Sequence, residues 1–254
     1  MSSDLELAAR LAREAGALLL GRFGHARGVE VKSSATDMVS AADRDAEALI
    51  RGGLAEARPE DGLVGEEGSR RDAASGRSWV VDPLDGTTNF LYGFPGWAVS
   101  IALDGELGVV FDPLRDELFS AARGEGATLN GEPLRMATHS DLSTALIATG
   151  FGYDSERRSK QGEVVKRMLP RIRDIRRAGA AALDLCWLAA GRLDGYYERG
   201  LNAWDWAAAR LVVEEAGGEV ADLNEDPHGL IAASPELLPQ LSELLDEAER
   251  GVFL

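Results

Sequence analysis

Apolar residues recur at helical spacing near the start of the chain. Leu5, Ala8, Ala9, Ala12, Ala15 and Leu19 fall near one face, which predicts a helix over residues 4–23 that Gly21 and Gly24 weaken at its end. A second helix is expected from about Ser40 to Ala57. There Ser40-x-x-Asp43 has the form of a capping box with Asp as the acid, and Pro59 supplies the stop. Leu63-Val64-Gly65 precedes the acidic pair Glu66-Glu67, and the polar run to Arg77 reads as a mobile surface loop. Trp79-Val80-Val81 carries the signal of a short buried strand ending at Asp82-Pro83. Ala98–Leu103, Leu107–Phe111 and Glu117–Ala122 then form a meander, punctuated by Asp104-Gly105, Asp112-Pro113, Gly124–Gly126 and Asn130-Gly131.

Beyond a weak division near residues 132–142 the pattern alternates. Strands are expected at Ala145–Thr149, Asp174–Arg176, Gly195–Glu198, Glu219–Asp222 and Leu230–Ala233. Helices are expected at Glu156–Met168, Ala181–Ala190, Asp205–Ala216 and Pro235–Glu249. Alternation after a meander argues for layered α/β packing. The expectation is one domain over residues 1–254, built from two intimate halves. The first, about 1–135, is mostly antiparallel sheet; the second, about 136–254, is alternating α/β.

Charge narrows the function. The chain has 254 residues with 43 acidic and 27 basic side chains, a net charge of −16. It lacks the basic field of a general nucleic-acid binder, so no nucleic-acid partner is expected. If the substrate is an anion, something other than net charge must attract it, and bound metal cations are the obvious agent. One cysteine, Cys186, excludes an intrachain disulfide and the Cys-rich zinc sites. In its apolar helix it reads as a small buried hydrophobe. His25, His139 and His228 are widely spaced and read as surface or turn residues. No run approaches the roughly 18 apolar residues of a membrane span. No secretory signal opens the chain, so a cytoplasmic location is expected.

The densest chemistry lies in Trp79-Val-Val-Asp-Pro-Leu-Asp-Gly-Thr-Thr-Asn-Phe90. A buried strand delivers Asp82 to its carboxyl end. In a continuing strand Asp82 and Asp85 would face opposite ways, so Pro83 and Gly86 are expected to break the strand and turn both carboxylates to one point. Paired carboxylates in an apolar sheet repel unless a cation neutralises them, and hard oxygen ligands suit Mg²⁺. Gly86-Thr87-Thr88 offers backbone N–H groups at an expected helix start, where phosphate binds well. The bland alternative for a bare D-x-x-D is helix capping, the commoner task of Asp before a helix.

The whole twelve-residue string closely resembles the first signature of the inositol monophosphatase family. Trp204-Asp205-Trp206-Ala207-Ala208 onward to Glu215-Ala216-Gly217-Gly218 resembles the second. Further likeness lies in Lys32-Ser33-Ser34, Thr36 to Asp43, Gly65-Glu66-Glu67, Asp112-Pro113-Leu114, Leu129-Asn130-Gly131, Ala181 to Asp184 and Tyr196-Tyr197-Glu198, in family order. The resemblance implies a five-layer α/β/α/β/α sandwich of the inositol monophosphatase and fructose-1,6-bisphosphatase type. It also implies a Mg²⁺-dependent, lithium-sensitive phosphate-monoester hydrolase that forms a homodimer and acts on a small molecule.

Residue by residue, it implies that Glu66, Asp82 and the carbonyl of Leu84 hold a first metal. Asp82, Asp85 and Asp205 would hold a second, and a third, weaker one would lean on Glu66 through water. Asp43 and Thr87 match the pair that orients and deprotonates water; Glu66 shares in catalysis. Asp85, Gly86 and Thr87 would touch the phosphate. Gly179, Ala180, Ala181 and Glu198 would face the alcohol half of the substrate. Lys32 and Asp37 are secondary members. On the residues alone, Asp43 is equally a capping-box partner of Ser40, and Asp205 equally a helix N-cap. The chain departs from the usual pattern at Ala180, where Ser or Thr is common, and at Ala209, where Gly is common. Glu198, an acceptor when ionised, suits a polyol. The favoured substrate is myo-inositol 1-phosphate. Histidinol phosphate, fructose 1,6-bisphosphate and a nucleotide 3′-phosphate are the alternatives, and a regulatory scaffold retaining the fold is the reading from a different class.

Overall fold

The computed structural model describes residues 3–24, 30–31, 38–39, 41–223 and 227–253. Helix α1 (Ser3–Leu20) is followed by two-residue strands β1 (Glu30–Val31) and β2 (Met38–Val39), which pair antiparallel, and by α2 (Ala41–Ala57). Next come β3 (Gly62–Gly65), β4 (Arg70–Arg71), β5 (Ser78–Asp85), the short helix α3 (Thr87–Tyr92), β6 (Ala98–Leu103), β7 (Leu107–Asp112), β8 (Glu117–Ala122), β9 (Gly126–Leu129) and β10 (Glu132–Leu134). The second half contributes β11 (Leu146–Thr149), α4 (Ser155–Met168), β12 (Asp174–Arg176), α5 (Ala181–Ala189), β13 (Gly195–Arg199), α6 (Ala203–Glu215), β14 (Glu219–Leu223), β15 (Gly229–Ala233) and α7 (Leu238–Glu249).

Eight strands form one sheet in the order β10-β9-β8-β7-β6-β5-β3-β4, antiparallel except for the β3–β5 pair. Five form the other, β12-β11-β13-β15-β14, with β11 parallel to both its neighbours. α1 and α2 cover the outer face of the large sheet. α5 and α6 lie between the sheets, and α4 with α7 close the far side. These are the five expected layers. Burial patterns explain the placement. α1 hides a stripe of Leu5, Ala8, Leu11, Ala12, Ala15 and Leu19, as an outer helix needs one apolar face. α5 is buried on every side except at Trp187, because a helix between two sheets has no face for water. Cys186 is fully buried there, as expected of a small hydrophobe.

Three local expectations change. The run after Glu67 carries β4, which pairs with β3. Glu47, buried on α2, accepts N–H bonds from Glu67 at 2.8 Å and Ser69 at 2.9 Å and so pins that run. Strand β5 does not stop at Asp82; it continues through Pro83 and Leu84 to Asp85. Helix α6 begins at Ala203, two residues ahead of Asp205. His139 lies by Asp141 and Asp194, and His228 by Asp222 and Trp206, away from the acidic cleft described below. His25, Lys32, Asp37 and Ser40 lie outside the described residues. No helix among the described residues is long and apolar enough to cross a membrane.

Candidate active site

A bulge in β5 builds the acidic wall. Asp82 pairs with Ser100 and Asp85 with Ala98, so three steps along β5 match two along β6. The extra residue restores the parity that a regular strand denies, and both carboxylates reach one side. Pro83 is tolerated because β3 has ended: its parallel pairing with β5 stops at Gly65–Val81. The Glu66 N–H donates to the Val81 carbonyl at 3.1 Å, which brings Glu66 beside Asp82 in parallel register. The expected break at Pro83 is therefore a bulge, and it sets both carboxylates on the wall of one cleft rather than at one point.

Gly86 follows with φ of 90° and ψ of 36°, capping α3. A side chain there would be strained, and its Cβ would meet the Gly96 carbonyl oxygen at 2.8 Å. Phe90 and Trp97, both fully buried, stack edge-on at 5.2 Å, with Phe23 against both, and anchor α3 under the turn. Asn89 donates to the Ala178 carbonyl at 2.8 Å. Asp85 accepts N–H bonds from Ala181 at 3.2 Å and Ala182 at 2.8 Å, at the positive end of α5. These bonds join the two sheets' contributions into one cleft of about 370 Å³.

Its wall includes Glu66, Asp82, Leu84, Asp85, Gly86, Thr87, Gly179, Ala181, Glu198 and Asp205. Asp43, fully buried, stands behind Thr87, whose hydroxyl lies 3.1 Å from both Asp43 Oδ1 and the Leu84 carbonyl. One hydroxyl proton can serve only one of these acceptors at a time. Ala180 is not part of the wall; it is buried, its Cβ turned toward Gly86. The N–H of Ala181 is committed to Asp85. Asp205 is the acid of a capping box rather than the N-cap: its Oδ2 accepts the Asn202 N–H at 2.6 Å. Capping thus engages one oxygen and leaves the carboxylate its remaining lone pairs.

Electrostatics single out the same residues. Burial, then the charges of Glu66, Asp85 and Asp205, push the Asp82 carboxyl well above its usual range. Burial also raises Asp85 to about 7, against the pull of the Ala182 N–H and with the help of Glu198 and Glu66. Asp205 is raised mainly by burial. Glu198 is raised by burial to about 7; the Tyr196 hydroxyl, donating to its Oε2 at 2.9 Å, and Arg177 oppose the shift. The carboxylates line the wall without closing on a point: among the described residues no three acidic, histidine or cysteine side chains form a ready-made metal cage. The donor chemistry nonetheless fits divalent cations. The oxygen-rich wall is strained by its own charge, and a hard cation is what relieves it.

Sequence reasoning passed over the charged cleft residues Asp154, Arg157 and Arg177 and the segments 151–153 and 200–202. The signals were the pair Arg157-Arg158 and the run Arg171 to Arg177, dense in arginine within an acidic chain.

The chain matches the inositol monophosphatase family over residues 1–250. It is 43% identical over 262 residues to the inositol-1-monophosphatase of Mycobacterium bovis, covering 92% of this chain and 90% of that one. It is 39% identical over 260 residues to the Nus factor SuhB of Escherichia coli, covering 97% of each. Among solved structures, the inositol monophosphatase of Thermotoga maritima superposes with a TM-score of 0.90 at 31% identity, over 99% of this chain and 100% of that one. The extragenic suppressor protein SuhB of Bartonella henselae gives 0.89 at 37%, over 97% and 99%. Both the signature residues and the five-layer fold agree with these likenesses: the chain belongs to the inositol monophosphatase family and is a phosphatase.

Proposed function

We propose that this phosphatase hydrolyses a polyol phosphate monoester, myo-inositol 1-phosphate first among them, with Mg²⁺ held by the acidic wall. The observation that carries the reading is the convergence of Glu66, Asp82, Asp85, Asp205 and the Leu84 carbonyl with Thr87 and Glu198 in one cleft. Glu66, Asp82 and Leu84 would hold one cation and Asp82, Asp85 and Asp205 a second, with a weaker third beside Glu66. When bound, such cations neutralise the phosphate and lower the barrier to in-line attack by water.

The chain's own residues supply the rest. Thr87 Oγ1 accepts a proton from the attacking water while its own proton passes to Asp43 Oδ1, an arrangement the 3.1 Å contact supports. Asp43 is fully buried, so the proton relay is shielded from bulk water. The Gly86-Thr87 turn receives the phosphate. Glu198 faces the alcohol half, but Tyr196 already occupies Oε2, so it accepts fewer substrate hydroxyl protons than a bare carboxylate would. Pairing of two copies and inhibition by lithium belong to the same reading, and Tyr92 and Phe94 are large exposed aromatics available to an interface.

A phosphate-release panel tests the assignment. Inositol 1-phosphate, histidinol phosphate, fructose 1,6-bisphosphate and adenosine 3′,5′-bisphosphate are compared with purified protein and Mg²⁺. Turnover fastest on inositol 1-phosphate supports the reading. A clear preference for histidinol phosphate moves the substrate and leaves the site. Absence of release from all four favours the regulatory reading that the name of the E. coli relative suggests.

A further inference from the structure

Helix α4 is polar along most of its length, and its buried stripe is Gln161, Val164 and Met168. A glutamine at a core position is costly unless both ends of its amide are bonded. Gln161 is 7% exposed, and both ends are used. Its Oε1 accepts the Gly152 N–H at 2.9 Å, and its Nε2 donates to the Arg199 carbonyl at 3.2 Å. Gly152 follows β11, and Arg199 ends its neighbour β13. The parallel pairing of these strands stops at Thr149–Tyr197, while β13 runs on to Arg199. There the strands part, and the Gln161 amide spans the gap much as a peptide group of a continuing strand would.

The gap lies at the carboxyl ends of two parallel strands. The helix after β11, α4, packs on the far side of the sheet, while α5, which leads into β13, lies between the sheets. Open α/β sheets bind ligands at such a switch point. Both lips of this gap line the cleft, residues 151–154 on one side and Glu198 with 200–202 on the other. Glu198 reaches across: its carboxylate rests on Gly150, where a Cβ would collide with it. Side chains alternate along β13, so Arg199 turns the other way and pairs with Glu249. Arg158 of α4 steadies the first lip, donating to the carbonyls of Gly152 at 3.1 Å and Tyr153 at 2.6 Å. The width of the gap therefore sets where the Glu198 carboxylate stands. We propose that Gln161 is a positioning residue for substrate selection, fixing the spacing of the two lips so that Glu198 meets the alcohol half of the substrate. Gln161 itself is not part of the cleft wall. The proposal rests on the reading that Glu198 faces the alcohol half. The Gly86-Thr87 turn and the carboxylates of β5 belong to the other sheet and keep their place without the bridge.

The test follows p-nitrophenyl phosphate hydrolysis by the Mg²⁺-loaded enzyme against two competitors. Inositol 1-phosphate engages both halves of the cleft, and inorganic phosphate engages the phosphate half alone. Gln161→Met keeps the length and loses both hydrogen bonds. Gln161→Glu keeps an acceptor for the Gly152 N–H and, when ionised, turns a second acceptor on the Arg199 carbonyl. In each, the inhibition constant of inositol 1-phosphate should rise about tenfold, while that of inorganic phosphate and the kcat for p-nitrophenyl phosphate stay within about twofold. Val164→Ala trims the same buried stripe and leaves the bridge, so it should lower the Tm and leave both inhibition constants unchanged. Unchanged inhibition by inositol 1-phosphate in the Gln161 variants, an equal rise for inorganic phosphate, or the same rise in Val164→Ala overturns the proposal. Should Gln161→Met fail to fold, Gln161→Glu decides. Phosphate release from inositol 1-phosphate by the wild-type protein is measured alongside. Its absence would remove that compound as substrate, and the inhibition constants would still decide the role of Gln161.

Discussion

Removing divalent cations and raising pH from 5 to 8 should unfold this protein at a markedly lower temperature. Asp85, 7% exposed, moves from 3.8 to about 7 on folding, chiefly through burial. A carboxyl with a raised pKa keeps a proton that the unfolded chain releases. Its contribution to stability is therefore complete below about pH 4 and is lost as pH rises through about 7. At about 1.4 kcal/mol per unit, the roughly two units between pH 5 and the folded-state value of about 7 cost about 3 kcal/mol. For a chain of this size that corresponds to a fall in Tm of about 10 °C. Glu198, raised to about 7, and Asp82, Asp184 and Asp205, also raised by burial, act in the same direction. Because these groups interact, their effects will not simply add. Asp4 acts in the opposite sense: although partly buried, it is held below its usual value by hydrogen bonds from Arg77 and Arg58. Its window lies below about pH 4, outside the range measured. The assay is thermal unfolding in EDTA at constant ionic strength, repeated with millimolar Mg²⁺. A cation bound only to the folded state should restore most of the loss at pH 8 and little at pH 5. Equal Tm values at the two pH values in EDTA, or a Mg²⁺ effect no larger than that of KCl at matched ionic strength, would refute the reasoning.

Two further substitutions probe the site. Glu198→Gln should lower kcat/KM for inositol 1-phosphate about tenfold relative to p-nitrophenyl phosphate, since a charge-assisted hydrogen bond is worth about 1.5–3 kcal/mol. The deficit should be larger at pH 8 than at pH 6, because the carboxyl titrates near 7; equal losses on both substrates would make the residue a structural support. Glu47→Gln should destabilise the protein by about 1–3 kcal/mol, because the amide cannot accept both the Glu67 and Ser69 N–H groups. It should also raise the Mg²⁺ concentration needed for half-maximal activity by loosening Glu66. A lower Tm with unchanged Mg²⁺ dependence would confine Glu47 to the fold.

Elements with strong local periodicity were legible without coordinates. β6 and β8 run over the residues that their apolar pattern marks, and α1 buries the stripe read from its spacing except the half-buried Ala9, with Leu7 and Leu11 buried beside it. The acidic site was legible because Asp82 and Asp85 fall within one signature string, and the structure brings Glu66 and Asp205 to the same cleft. What stayed hidden depends on partners distant in sequence. Pro83 reads locally as a strand breaker; only the end of β3 and the offset against β6 make it a bulge. β4 and β10 are edge strands of two and three residues, too short to show a period. Ala180 looked like a substrate contact by position, but the capture of the Ala181 and Ala182 N–H groups by Asp85 turns its side chain inward. Arg157 and Arg177 carry no local motif. Only the fold brings them to the cleft, where Arg177 faces Glu198 and Asp184 and Arg157 faces Asp154.

The most direct test of the account is phosphate release from inositol 1-phosphate by Asp82→Asn beside the wild-type protein, at saturating Mg²⁺. Asp82 is 1% exposed, and its Oδ1 accepts the Leu84 N–H at 2.9 Å, a bond that an asparagine carbonyl can keep. The substitution therefore removes charge and almost no volume. It should leave the fold intact and raise the Tm of the cation-free protein at pH 8, while turnover falls by orders of magnitude. Near-native turnover in the correctly folded variant would contradict the assignment of this cleft as the catalytic, cation-binding site.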